Sequence, residues 1–264
     1  MLRLENVWKV FDQGTINQKV ALKGIDLNIK EGEFVTVIGG NGAGKSTLLN
    51  AVAGTWPVTR GRIFIDGNDV TGLPDYKRAS LIGRVFQDPM LGTASEMQLE
   101  ENLALALRRG KKRGLGWGVT NEEKKMFRER LAALGLGLED RLTAQIGTLS
   151  GGQRQAVTLL MASLNAPKLL LLDEHTAALD PATAAKVLEI SDDIVREEKL
   201  TCLMITHNMT DAINLGNRLI MMNEGTIVVD ISGDEKKQLT KNDLLQKFAD
   251  VAGVQEETDS VLLS

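Results

Sequence analysis

Apolar and polar residues alternate along Leu2–Val10 and again along Val20–Ile29, the period-2 pattern of strands that bury one face. These runs predict strands of an antiparallel edge sheet. The pattern then changes. Val35–Ile38 is a continuous β-branched run, followed by glycines and a helix-forming segment that ends near Ala53. Gly61–Gly67 reads as a short strand closed by a turn, and Arg84–Gln87 as the end of another. From Asp88 to Thr148 the spacing becomes helical, with leucine and alanine recurring from Gln98 to Arg109. Thr120 and Glu123 form a capping box for a helix that carries Phe127, Leu131 and Leu134 on one face. This predicts a helical insertion, about residues 88–165, in an otherwise alternating strand–helix chain.

Toward its end, Leu149–Gln153 opens a helix with a predicted apolar stripe of Val157, Leu160, Met161 and Leu164. Leu169–Leu172 is a strand apolar on both faces, as parallel sheets require. Asp180 and Pro181 supply an N-cap and a first-turn proline for a helix whose stripe is Ala184, Val187, Leu188, Ser191, Ile194 and Val195. A strand over Thr201–Thr206, a hairpin over Leu219–Val229 turning at Glu224–Gly225, and a helix from Thr240 to about Phe248 follow. The acidic end of the chain, about residues 251–264, has no clear period and is expected to be poorly ordered.

Composition narrows the class. Of 264 residues, 43% are hydrophobic and 25% charged, the balance of a soluble globular protein. A net charge of −4 argues against general affinity for nucleic acid or anionic lipid, and no nucleic-acid partner is expected. One local basic run, Arg108–Arg113, precedes glycines around Trp117 and reads as a solvated loop. The single cysteine, Cys202, lies in an apolar run, so there is no disulfide framework, which fits a reducing cytosol. The N-terminus shows no secretory signal, and no apolar run approaches the roughly 18 residues that span a bilayer. Membrane association is expected to come from a partner.

The chemistry centres on Gly39-x-x-x-x-Gly44-Lys45-Ser46, set between the β-branched run and the helix. Glycines let the main chain turn its N–H groups toward a polyphosphate, and the helix adds the positive end of its dipole. Lys45 is suited to the β- and γ-phosphates and Ser46 to Mg²⁺. The motif predicts an ATP site of the phosphate-loop type. Four further places along the chain carry two readings each. Phe11 stacks on adenine or packs in the core; Gln87 touches Mg²⁺ or the attacking water, or merely ends a strand. Ser150, Gly151, Gly152 and Gln153 are a second anion site or a plain helix cap. His207 bonds the γ-phosphate from a strand end or is structural. Asp173 and Glu174 follow the leucine strand at the sheet end where α/β proteins bind ligands; Asp173 suits the Mg²⁺ water shell and Glu174 a base for the attacking water.

Taken in order, these motifs resemble the ATP-binding cassette (ABC) family over roughly residues 2–250, with Leu149–Gln153 as its signature segment. The resemblance implies an α/β fold: a phosphate-loop NTPase core with a mostly parallel sheet, an N-terminal antiparallel β subdomain and an inserted α-helical subdomain. It implies an ATPase acting as a head-to-tail homodimer, with ATP between one chain's phosphate loop (Gly39, Asn41, Gly42, Ala43, Gly44, Lys45) and its partner's signature. By position, Ser150 and Gly152 would contact the γ-phosphate across the interface and Thr47 the α-phosphate. Asp180 would link the two sites, and Gln87 would couple them to an integral-membrane permease.

With no membrane span and a short tail, the chain is similar to importer ATPases that sit on the cytoplasmic face of the membrane. A separate solute-binding protein would feed the permease. The Asp-Glu-His stretch, Asp173–His175, resembles ATPases of amino-acid importers. An exporter or lipoprotein-release ATPase and a soluble cassette acting on nucleic acid or ribosomes are the competing readings. The family usually has proline where His175 stands, and that change is expected to alter local geometry or pH dependence.

Overall fold

In the computed structural model, residues 1–111 and 118–252 are described. The end of the basic run (Lys112, Arg113), the segment around Trp117 and the tail from Gly253 to Ser264 lie outside them. The alternating N-terminal runs form β1 (Leu2–Phe11) and β2 (Lys19–Ile29). Next come β3 (Phe34–Ile38), α1 (Lys45–Ala53), β4 (Arg60–Ile65), β5 (Asn68–Asp69) and α2 (Asp75–Arg78). The middle of the chain holds β6 (Ile82–Val85), α3 (Leu99–Leu107), α4 (Asn121–Ala133), α5 (Gly151–Ser163), β7 (Leu169–Asp173) and α6 (Pro181–Glu197). It ends in β8 (Thr201–Ile205), α7 (Met209–Asn214), β9 (Arg218–Asn223), β10 (Thr226–Ser232), α8 (Asp234–Gln238) and α9 (Lys241–Ala252). Two compact units result, Met1–Arg78 with the segment from Leu200 onward, and Ala79–Lys199.

The first unit contains an antiparallel sheet in the order β2-β1-β4-β5. Leu2 lies opposite Ile29 on one side and Ile65 on the other, so alternate positions meet on one buried face. The same unit holds strands in the order β10-β9-β3-β8, with β3 parallel to both β8 and β9. Every residue of β3 is buried, as a β-branched central strand with a neighbour on each side requires. Thr36, its one polar residue, donates from Oγ1 to the Ala212 carbonyl at 2.8 Å. Ile38 at its end packs with Met209, Ala212, Leu219, Met221, Ile231 and Leu244, which fixes the point from which the next loop departs.

Arg78 ends α2 and is almost completely buried. Its guanidinium donates to the carbonyls of Ala51 and Val52 at 2.9 and 2.8 Å, at the end of α1, and to those of Leu73 and Thr71. A cation at a helix C-terminus satisfies the orphan carbonyls and complements the dipole.

In the second unit β6 and β7 pair in parallel, with Arg84 opposite Leu171. The Thr120–Glu123 capping box forms, and Phe127 and Leu131 are buried as the spacing predicts. Two expectations change. α5 is buried almost all round rather than along one stripe, because α3, α4, α6 and β6 all pack on it. The basic run is no solvated loop at its start. Arg108 pairs with Glu123 at 2.9 Å, and Arg109 donates to the Ala162 carbonyl at 2.9 Å.

Candidate nucleotide site

The phosphate loop leaves β3 and enters α1, and its backbone accounts for its glycines. Gly39 has φ +151°, and a Cβ there would stand 2.2 Å from the Met222 carbonyl oxygen. Gly44 has φ +101°, and a Cβ there would stand 2.7 Å from the Ala21 oxygen. Both positions exclude side chains twice over, by conformation and by space. The β9–β10 turn backs the loop, where Gly225 donates its N–H to the Ala43 carbonyl at 2.9 Å. Lys45 is buried, with Nζ donating to the Gly39 and Gly40 carbonyls at 2.7 and 3.3 Å. α4, α5 and α6 each have a side-chain cap, but no side chain caps α1. A helix N-terminus that opens on a glycine-rich loop with no capping side chain is the arrangement suited to phosphate. Ser46 is exposed at this end.

In the second unit, β7 ends at Asp173, and Glu174 follows directly after it. Arg84 Nη2 lies 3.6 Å from Asp173 Oδ2, and its guanidinium also stacks 4.5 Å above the Phe86 ring. Sequence reasoning missed this arginine, which reaches Asp173 only because β6 pairs with β7 in that register. Glu174 takes a left-handed backbone, φ +44°, rare for a residue with a Cβ. A turn closes behind it, Ala177 N–H donating to the Glu174 carbonyl at 3.0 Å.

His175 is buried, with Nε2 2.9 Å from Ser191 Oγ on α6. Burial pushes its imidazole down to about 4, so the ring is neutral near neutral pH. The titration expected there at ordinary pH is therefore absent, and the change from proline is one of geometry.

Ser150 and Gln153 form a reciprocal capping box at the start of α5, Ser150 Oγ accepting from Gln153 N–H at 3.3 Å and Gln153 Oε1 from Ser150 N–H at 3.2 Å. Asp180 caps α6 through the Thr183 N–H at 3.1 Å, and these hydrogen bonds hold its carboxyl below the usual range. Gln87 is exposed two residues past β6, on a loop anchored where Gln155 donates to the Phe86 carbonyl at 3.2 Å. In the first unit, His207 is exposed just past β8, close enough to Asp211 to oppose the burial that raises that carboxyl. Phe11 ends β1 with the Trp56 ring at 5.2 Å, edge to face, and the Lys9 ammonium 4.7 Å over its own ring. Phe11 is half-buried against these neighbours and is not part of the buried core.

The family model for ABC transporters matches residues 22–177. A tyrosine transport ATP-binding protein of Clostridioides difficile is 44% identical over 248 residues, covering 94% of this chain and 98% of that one. The methionine import ATP-binding protein MetN of Escherichia coli is 36% identical over 251 residues, 94% of this chain and 70% of MetN. Among solved structures, the dimeric post-hydrolysis state of the ATP-binding cassette MJ0796 bound to ADP and Pi matches with a TM-score of 0.75 and 33% identity. That match covers 88% of this chain and 98% of the cassette. The chain belongs to the ABC transporter family. It is an ATP-binding, ATP-hydrolysing cassette of the α/β class.

Proposed function

We propose that this chain is the ATPase subunit of a membrane importer for a small solute, an amino acid foremost, and works as a head-to-tail homodimer on a separate permease. The observation that carries the reading is the 44% identity, over nearly the full length of both chains, to a tyrosine transport ATP-binding protein. No helix among the described residues is long and apolar enough to cross a membrane, so the reading gives the chain a peripheral place on the cytoplasmic face. The loop after Gln87 exposes Met90 and Leu91, apolar surface suited to a permease segment. A solute-binding protein would act on the permease's far side.

In this reading the N–H groups of the phosphate loop and Lys45 hold the β- and γ-phosphates, and Phe11 stacks on adenine. Ser46, Gln87 and Asp173 offer hydroxyl, amide and carboxylate oxygens, the hard donors Mg²⁺ takes, and the ion there would offset phosphate charge. Glu174 orients and deprotonates the attacking water while His207 donates to the γ-phosphate. Ser150, Gly151 and Gly152 serve the partner's nucleotide.

Uptake of labelled amino acids in cells lacking this chain tests the function. One amino acid should lose energy-dependent uptake, restored by the parent chain and not by Lys45→Ala. Unchanged uptake of every amino acid would remove the amino-acid reading.

A further inference from the structure

The hydrogen bond between His175 and Ser191 has only one consistent proton arrangement. Ser191 Oγ lies 2.7 Å from the Val187 carbonyl, which can only accept, so the hydroxyl proton is committed there. The 2.9 Å contact to His175 Nε2 then takes its proton from the ring. His175 is the Nε2–H tautomer, and its buried Nδ1 lone pair has no hydrogen-bond partner. Both side chains are buried, His175 at 2% and Ser191 at 0% exposure.

What this bond holds is the segment after Glu174. The near end of that segment is β7 and its far end is the Asp180 cap of α6. His175 adds a tie between the two, from the residue next to Glu174 to the middle of α6. Glu174 itself sits at φ +44°, a conformation non-glycine residues keep only where the surroundings impose it. A side chain of the same bulk without a donor would fill the space but leave the segment free to shift.

We propose that His175 is a positioning residue for ATP hydrolysis: its Nε2–H anchors the Glu174 segment to Ser191 and so sets the direction of the Glu174 carboxylate. The inference rests on Glu174 as the base in the reading above. His175 touches neither nucleotide nor water in this role. Ser191, on the opposite element, carries an equal share of the anchor.

Hydrolysis by the full chain tests this with His175→Leu, Ser191→Ala and His175→Gln, each made in the parent and in Glu174→Gln. His175→Leu and Ser191→Ala should each lower kcat about tenfold, with KM for ATP within about twofold, because ground-state binding is untouched. The double variant should be no slower than either, since both remove one bond. His175→Gln places an amide N–H near the Nε2 position and should return kcat to within about threefold of the parent. In Glu174→Gln, His175→Leu should leave the residual rate unchanged, because no base remains to be positioned.

If His175→Leu lowers that residual rate by the factor seen in the parent, the residue is only structural and the proposal fails. It fails equally if the glutamine is no better than the leucine. Should His175→Leu not fold, the smaller change Ser191→Ala carries the same comparison. A Glu174→Gln chain that keeps the parent rate is a separate failure: it removes Glu174 as base, and the positioning role with it.

Discussion

The γ-methyl of Thr183, in the first turn of α6, fills the space a Cβ on Gly152 would need, only 2.0 Å from it. The signature glycine is thus held to glycine by its own chain. Gly152→Ala should push α5 from α6 and cost about 1–3 kcal/mol, the usual range for overpacking. Thr183→Ser removes that methyl and leaves the Thr183 Cβ at 3.5 Å, ordinary contact. Combined with Gly152→Ala it should recover most of the loss in denaturant midpoints. No recovery would mean that Thr183 is not what excludes the side chain.

The glycines around Lys45 and the Thr120–Glu123 box were legible because each is a local pattern whose geometry depends on neighbours in sequence. The paired strands β1 and β2 were legible for the same reason, through their alternation. Arg84 on Asp173, His175 on Ser191 and Arg78 on α1 were not, since each joins residues whose meeting depends on register or packing. The α5 stripe was read too narrowly because a helix surrounded by four elements loses its polar face. Arg108 and Arg109 looked solvated because charge runs usually are; their partners Glu123 and the Ala162 carbonyl come from other helices.

Arg78 offers a stability test remote from the chemistry. Its guanidinium serves four main-chain carbonyls, and Arg78→Met would remove all four hydrogen bonds, the Ala51 carbonyl alone keeping the Gly54 N–H as a second donor. Loss of about 3 kcal/mol or more is expected, several buried hydrogen bonds lost at once. Arg78→Lys should regain only part, since an ammonium lacks the planar fork that reaches α1 and the Thr71–Leu73 turn together. Equal stability of the lysine variant and the parent, by urea unfolding, would show that the fork is not needed.

Lys236 gives a pH dependence with a definite sign. The side chain is buried, donating to the Leu215 and Gly216 carbonyls, and burial pushes its ammonium down to about 8 from the usual 10.5. The folded chain therefore releases this proton before the unfolded chain does. Between pH 8 and 10.5 the unfolded state binds more protons, so stability rises with pH through that window relative to Lys236→Met. Below it the difference between the two proteins is constant. Parallel unfolding curves for the two across this range would show that Lys236 keeps its ordinary affinity for the proton.

The shared nucleotide site is tested by distributing two lesions between chains. Lys45→Ala damages the phosphate-loop half of the proposed site and Ser150→Arg the signature half. Pairing one mutant with the other gives a dimer in which one site carries both lesions and the other carries neither. Two inactive proteins should then hydrolyse ATP when mixed. Placing both changes on one chain and pairing it with an unmodified chain gives each site one lesion, and that dimer should be inactive. Both dimers contain the same substitutions and differ only in which chain holds them, so effects on folding largely cancel. If each chain instead worked alone, the first mixture would stay inactive and the second would keep the turnover of its unmodified half. That pattern would refute the head-to-tail site.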